Sequence, residues 1–146
     1  LDGGGRVDAT FGCVFSDGQR VSGMTLLMLA MTNGHEGLAE ALLQRGADLS
    51  LHNSNGTTAL SLAATNGREK LVELALRHGA EINQQTTLGG TALMGAASSG
   101  HEKVVDALTR HGAAIDHQCN NGDTALSKAA NNGQPAALRR LLRAGA

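Results

Sequence analysis

One period organises this sequence. Thr25, Thr58, Thr91 and Thr124 stand 33 residues apart, and three glycine ladders keep the same spacing. These are Gly23, Gly56, Gly89 and Gly122; Gly34, Gly67, Gly100 and Gly133; and Gly46, Gly79, Gly112 and Gly145. Four ladders at one period restrict the chain to a stack of equivalent units, each needing its neighbours to bury an apolar face.

Each unit reads as two short helices and a projecting turn. The glycine two residues before each threonine suits a turn with positive φ. The threonine begins a helix, where its hydroxyl can accept from a free backbone N–H. Leu27, Leu60, Leu93 and Leu126 come two residues later, and Ala30, Ala63, Ala96 and Ala129 three beyond those. That spacing marks one buried face, and the alanines let a neighbouring helix come close. Gly34, Gly67, Gly100 and Gly133 end the helix in the left-handed conformation. The second helix carries Leu71, Val72, Leu74 and Ala75 in one unit and Val104, Val105, Ala107 and Leu108 in the next. It closes at His78-Gly79 or His111-Gly112, where a cation suits the helix dipole. With 2 Phe and neither Trp nor Tyr, the core must come from small aliphatic side chains.

The stretches GMTLLMLAMTNGHEGLAEALLQRGADLS, GTTALSLAATNGREKLVELALRHGAEIN, GGTALMGAASSGHEKVVDALTRHGAAID and GDTALSKAANNGQPAALRRLLRAGA strongly resemble the ankyrin repeat family over residues 20–146. The resemblance implies an all-α ankyrin-repeat solenoid of helix–turn–helix units with projecting hairpin fingers. It divides the chain into the tail of a preceding repeat (1–10), a finger-loop insertion (11–19) and repeats at 20–52, 53–85, 86–118 and 119–146, the last lacking its final finger. The family's Thr-Pro-Leu-His is replaced in every copy, as in Thr58-Ala59-Leu60-Ser61 and Thr91-Ala92-Leu93-Met94. Loss of the histidine's backbone-tying hydrogen bonds should lower the stability of each repeat. Gly95, inside a first helix, costs about 1 kcal/mol relative to Ala.

In this register Gly4-Gly5-Arg6 aligns with a repeat end, and Leu1 becomes the last core leucine of an earlier repeat, so the natural protein is expected to be longer. Gly4 and Gly46 are 42 residues apart rather than 33. The extra residues, Phe11–Gln19, hold both phenylalanines and an Asp17-Gly18 turn signal. Two expectations compete for the rings: contact with a partner, or folding back onto the apolar end of the stack.

No motif with catalytic chemistry emerges. A GxxxxGK[ST] phosphate loop and a strand–helix GxGxxG are both missing. His35-Glu36 and His101-Glu102 have Ala39 and Val105 where a second zinc histidine would stand, and His117 with Cys119 supply two ligands where a closed site needs four. A non-enzymatic chain without cofactor or metal is expected. Asn83 holds a finger position that the family can offer to an asparaginyl hydroxylase, but the other copies carry Asp8, Ser50 and Asp116. Cys13 and Cys119 make no disulfide framework and suit a reducing compartment, so an intracellular location, cytoplasmic or nuclear, is expected. A net charge of -1 argues against nucleic acid as partner. The longest apolar run, Leu26–Met31, falls far short of the roughly 20 residues that span a bilayer.

The family's contact positions are the finger tips and the open side of the first helix. They map here onto Arg20, Met24, Asn33, His52, Asn55, Asn66, Gln85, Leu88, Gln118, Asn121, Asp123 and Asn132, to which the insertion adds Phe11 and Phe15. Charge is uneven: residues 1–52 are net -3 and residues 119–146 net +3, with Arg139, Arg140 and Arg143 at the basic end. The resemblance implies a protein–protein interaction scaffold whose partner is a protein or peptide bound by finger loops and concave helical face. The alternative is a structural spacer that positions other domains. If the repeat register is right, Leu60→Ala or Leu93→Ala should cost about 2–5 kcal/mol in urea unfolding; a loss below about 1 kcal/mol would displace these leucines from the core.

Overall fold

The computed structural model describes residues 7–146, so Leu1 and Gly4-Gly5-Arg6 lie outside the described residues. Among the described residues two strands, β1 (Phe11–Val14) and β2 (Arg20–Met24), precede eight helices. These are α1 (Leu26–Asn33), α2 (Glu36–Gln44), α3 (Ala59–Thr65), α4 (Glu69–Arg77), α5 (Ala92–Ser99), α6 (Glu102–Arg110), α7 (Ala125–Asn131) and α8 (Pro135–Arg143). Helices α1, α3, α5 and α7 pack side by side as an inner row. Helices α2, α4, α6 and α8 form an outer row, each packed against its own inner helix and its outer neighbours. The result is the helix–turn–helix solenoid that the period implies.

The threonine ladder caps the inner row. Thr25, Thr58, Thr91 and Thr124 hold extended backbone, and each Oγ1 accepts from the N–H three residues on, at 3.1, 3.2, 3.4 and 3.2 Å. The family's missing histidine is partly replaced. Ser127 Oγ accepts from the Thr124 N–H at 2.9 Å and completes a reciprocal capping box, while Met28 and Met94 at the same position fill the core.

Leu27, Leu60 and Leu93 are at most 2% exposed, and Ala30, Ala63, Ala96 and Ala129 are fully buried. The small side chains bring the inner helices close. A Cβ on Gly95 would run into Thr65 Oγ1 of α3, so the helix-weakening glycine sits where α3 and α5 make a close approach.

The fingers share one turn. In Asn53–Thr57, Thr86–Gly90 and Cys119–Asp123 the first N–H donates to the last carbonyl, and the fourth N–H donates back to the first carbonyl, at 2.8–3.0 Å. Neighbouring fingers are joined by Ser54 N–H to Ser22 O, Thr87 N–H to Asn55 O and Asn120 N–H to Leu88 O. The first finger departs from the others. Its Arg20–Met24 segment is a strand, and the same turn appears upstream at Phe15–Gln19. The insertion is therefore an antiparallel hairpin that pairs Phe11 with Met24, Cys13 with Val21 and Val14 with Arg20, with a register shift between Phe11 and Cys13.

At the first three inter-helix corners a side chain from the following repeat lies over the helix-ending glycine. Arg68, His101 and Gln134 cover Gly34, Gly67 and Gly100, and bond the carbonyls of Thr32, Thr65 and Ser98 at 3.2, 3.0 and 3.3 Å. Gly67 has φ +69° and would place a Cβ 2.6 Å from His101 Nδ1, whereas Gly133, with φ +64°, has nothing near such an atom. Gly67→Ala should therefore cost at least about 1 kcal/mol more than Gly133→Ala, and the excess should vanish in a His101→Ala background. Equal costs in the wild-type background would show that the ring does not set the repeat spacing.

Candidate functional site

The fingers and the inner helix row enclose two grooves that share walls. The first, about 660 Å³, lies between the first three fingers and is lined by Gln19, Arg20, Asn55, Thr57, Thr86, Thr87 and Leu88. The second, about 290 Å³, continues from Thr57, Thr86 and Leu88 across the inner helices, over Ser61, Thr65, Met94, Gly95 and Ser98, to Cys119 and Lys128. Leu88 stands between them with 74% of its surface exposed, the most open of the large apolar residues described. Its place at the third finger tip follows from the tight turn, which leaves the side chain no core to enter.

Of the positions assigned from sequence, Arg20, Asn55 and Leu88 come together in the finger groove. His52, Gln85, Gln118 and Asn121 are exposed on the fingers, and Asp123 is half-buried at the end of the fourth finger. Asn33, Asn66 and Asn132 are exposed at the C-terminal ends of inner helices, and their amides bond carbonyls of their own helices at 2.8–3.0 Å. Met24 is a correction. It is completely buried, because β2 replaces the usual turn and pairs Met24 with Phe11, so it presents no surface to a partner. The two rings also part company. Phe11 packs against the core, while Phe15 lies in the turn and is 37% exposed.

The outer row holds charge of both signs, with Glu36, Glu40, Glu69 and Glu73 around one groove beside Lys70 and Arg77. Ion pairs cross between its helices: Lys70 to Glu36 at 3.7 Å, Arg110 to Glu73 at 2.9 Å and Arg140 to Asp106 at 2.6 Å; His111 Nε2 also meets Glu73 at 3.0 Å. Such exposed pairs contribute roughly 0–1 kcal/mol each. Arg140, assigned from sequence to a basic end face, is thus engaged with α6, and His111 reaches the preceding repeat as well as closing its own helix. Both partners are more than 30 residues away, so no local spacing signalled them. On the concave side the Lys128 ammonium sits 3.0 Å from Asp123 and, by that hydrogen bond, holds its carboxyl below the usual carboxylate range, with Asn121 and Ser127 adding donors.

His117 Nε2 meets the Gly89 carbonyl at 2.9 Å, and the Cys119 thiol donates to Asn121 Oδ1 at 2.7 Å. Among the described residues no three His, Cys, Asp or Glu side chains cluster as metal ligands would. Asn83 Oδ1 accepts from the Ala114 N–H at 2.8 Å, so its amide links two fingers. A family model described as ankyrin repeats (3 copies) matches residues 10–86 and 71–146. No curated protein matches the sequence.

The separation of the rings sets different outcomes for their removal. Phe11→Ala should lower the stability of the chain by about 1–3 kcal/mol, and Phe15→Ala by no more than about 0.5 kcal/mol. Urea midpoints that move equally for both would show that the hairpin packs as one unit against the stack.

Proposed function

The chain belongs to the ankyrin repeat family, and from that premise we propose that it is a non-catalytic scaffold that binds a partner protein or peptide through its finger loops and concave helical face. Ankyrin repeats are generally protein–protein interaction modules, and the family is generally non-catalytic. The observation that carries the assignment to this face is the pair of adjoining grooves that share Leu88 as a wall, built from the fingers and inner helices of successive repeats. A rigid stack holds these walls in place, so a ligand would meet a site already formed and pay little to order it. The contact set is Phe15, Arg20, Asn55 and Leu88, with His52, Gln85, Gln118, Asn121 and Asp123 beside them. Among the described residues no helix is long and apolar enough to cross a membrane. The unpaired, half-buried Cys13 and Cys119 fit an intracellular, reducing setting.

Affinity capture with residues 1–146 tests the reading. Leu88→Glu should weaken retention of a stoichiometric partner about tenfold or more, while Lys103→Gln on the outer row should leave it unchanged. A partner held equally by Leu88→Glu would move the interface elsewhere, and failure to recover any reproducible partner would favour a structural spacer.

A further inference from the structure

We propose that the concave face takes an extended acidic segment of its partner, with Asp or Glu residues on either side of an apolar side chain. This rests on the scaffold reading and specifies its ligand. The chain carries 13 acids and 12 bases, so an unbiased surface would show both signs everywhere. The two concave grooves do not. Among the described residues no Asp or Glu lines either of them, and the two charged residues that do are cations: Arg20 in the finger groove and Lys128 in the helical groove. On the outer row both signs do occur together: Glu36, Glu40, Glu69 and Glu73 share one groove with Lys70 and Arg77.

Each cation has donors left for a carboxylate. Arg20 is exposed at the start of β2. Asp17, in the neighbouring turn, has its Oδ1 held by the Gln19 N–H at 3.0 Å. Lys128 meets Asp123 at 3.0 Å, which occupies one of the three protons of its ammonium group. Between the cations lie hydroxyls that can donate to a ligand backbone or carboxylate, among them Thr57 and Thr86, which belong to both grooves. Leu88 divides the same path, and an apolar ligand residue would cover it. The order along the face is cation, exposed leucine, cation, and its complement is acid, apolar residue, acid on a strand-like segment. Nucleic acid fits poorly. Two cations do not follow a phosphate backbone, and no aromatic ring lines either groove to stack a base.

Panning a displayed library of random dodecapeptides against residues 1–146 tests this. Binders should be enriched in Asp and Glu over the input, and the best of them, as a fluorescent peptide, should lose affinity between low salt and about 0.3 M salt. Arg20→Gln or Lys128→Gln should weaken it about tenfold, and Arg20→Lys, which keeps the charge, should restore most of the binding. Unchanged urea midpoints would confirm that these variants remain folded. Binders without acidic enrichment that are still lost with Leu88→Glu would overturn the acidic chemistry and leave the scaffold reading intact. Binders indifferent to Leu88→Glu as well would overturn both. Recovery of no binder, or tighter binding of a single-stranded oligonucleotide at the same salt, would also overturn the proposal.

Discussion

Spacing along the stack is set at the inter-helix corner. Arg68, His101 and Gln134 each lie over a glycine of the preceding repeat and reach the carbonyl of Thr32, Thr65 or Ser98. Those carbonyls lie near the ends of short helices, where the last four C=O groups have no partner of their own. The bond therefore satisfies an orphan acceptor and fixes the distance to the next repeat at once. Glycine is required twice over: once for its positive φ, and once because a Cβ would occupy the place of the incoming side chain. With this spacing in place the alanines at 30, 63, 96 and 129 can be fully buried, and the inner helices can close into a core that needs few rings.

Two other ladders repeat the device of binding each unit only to its neighbour. Finger-to-finger hydrogen bonds join backbone to backbone, and ion pairs cross the outer row. The three sets lie at the finger tips, the inter-helix corners and the outer face. Together they resist twisting of one repeat on the next, so the groove walls contributed by different repeats keep their register. Every such link is between adjacent repeats, which makes the energetics of the molecule a sum over units and interfaces.

Much of this was legible in the sequence, because identical residues do identical work in every copy. The capping threonines, the helix-ending glycines and the core leucines at 27, 60 and 93 all recur at the period, so each could be assigned by position. The corner side chains escaped notice because three different residues, Arg68, His101 and Gln134, share one role and have partners 36 residues away. The charge count that placed Arg140 at a basic end could not show its partner Asp106, 34 residues away. Met24 failed because equivalence by period assumed equivalent backbone, and the first finger breaks it. One signal for that break was available: Phe15-Ser16-Asp17-Gly18-Gln19 has the same glycine placement as Asn53-Ser54-Asn55-Gly56-Thr57. The differing fates of Phe11 and Phe15 depend on a strand register with a shift in it, which alternation alone could not have supplied.

The hairpin of the first finger also bears on how such a chain can change length. Its nine extra residues end in the turn used by the other fingers, and the strand behind that turn still accepts the Ser54 N–H as a finger should. Nothing downstream is displaced: from Gly23 onward every ladder keeps its 33-residue step. The added hairpin rests on the stack through Phe11 without shifting the helices, and closing a longer loop costs only about 0.6 kcal/mol for each doubling. The same number of residues inserted between two helices would move a corner side chain off its glycine. Reach and architecture are thus separable at the turn of this finger, which can be extended, shortened or exchanged as a cassette so long as the strand residues packed on the core, Phe11 among them, are kept.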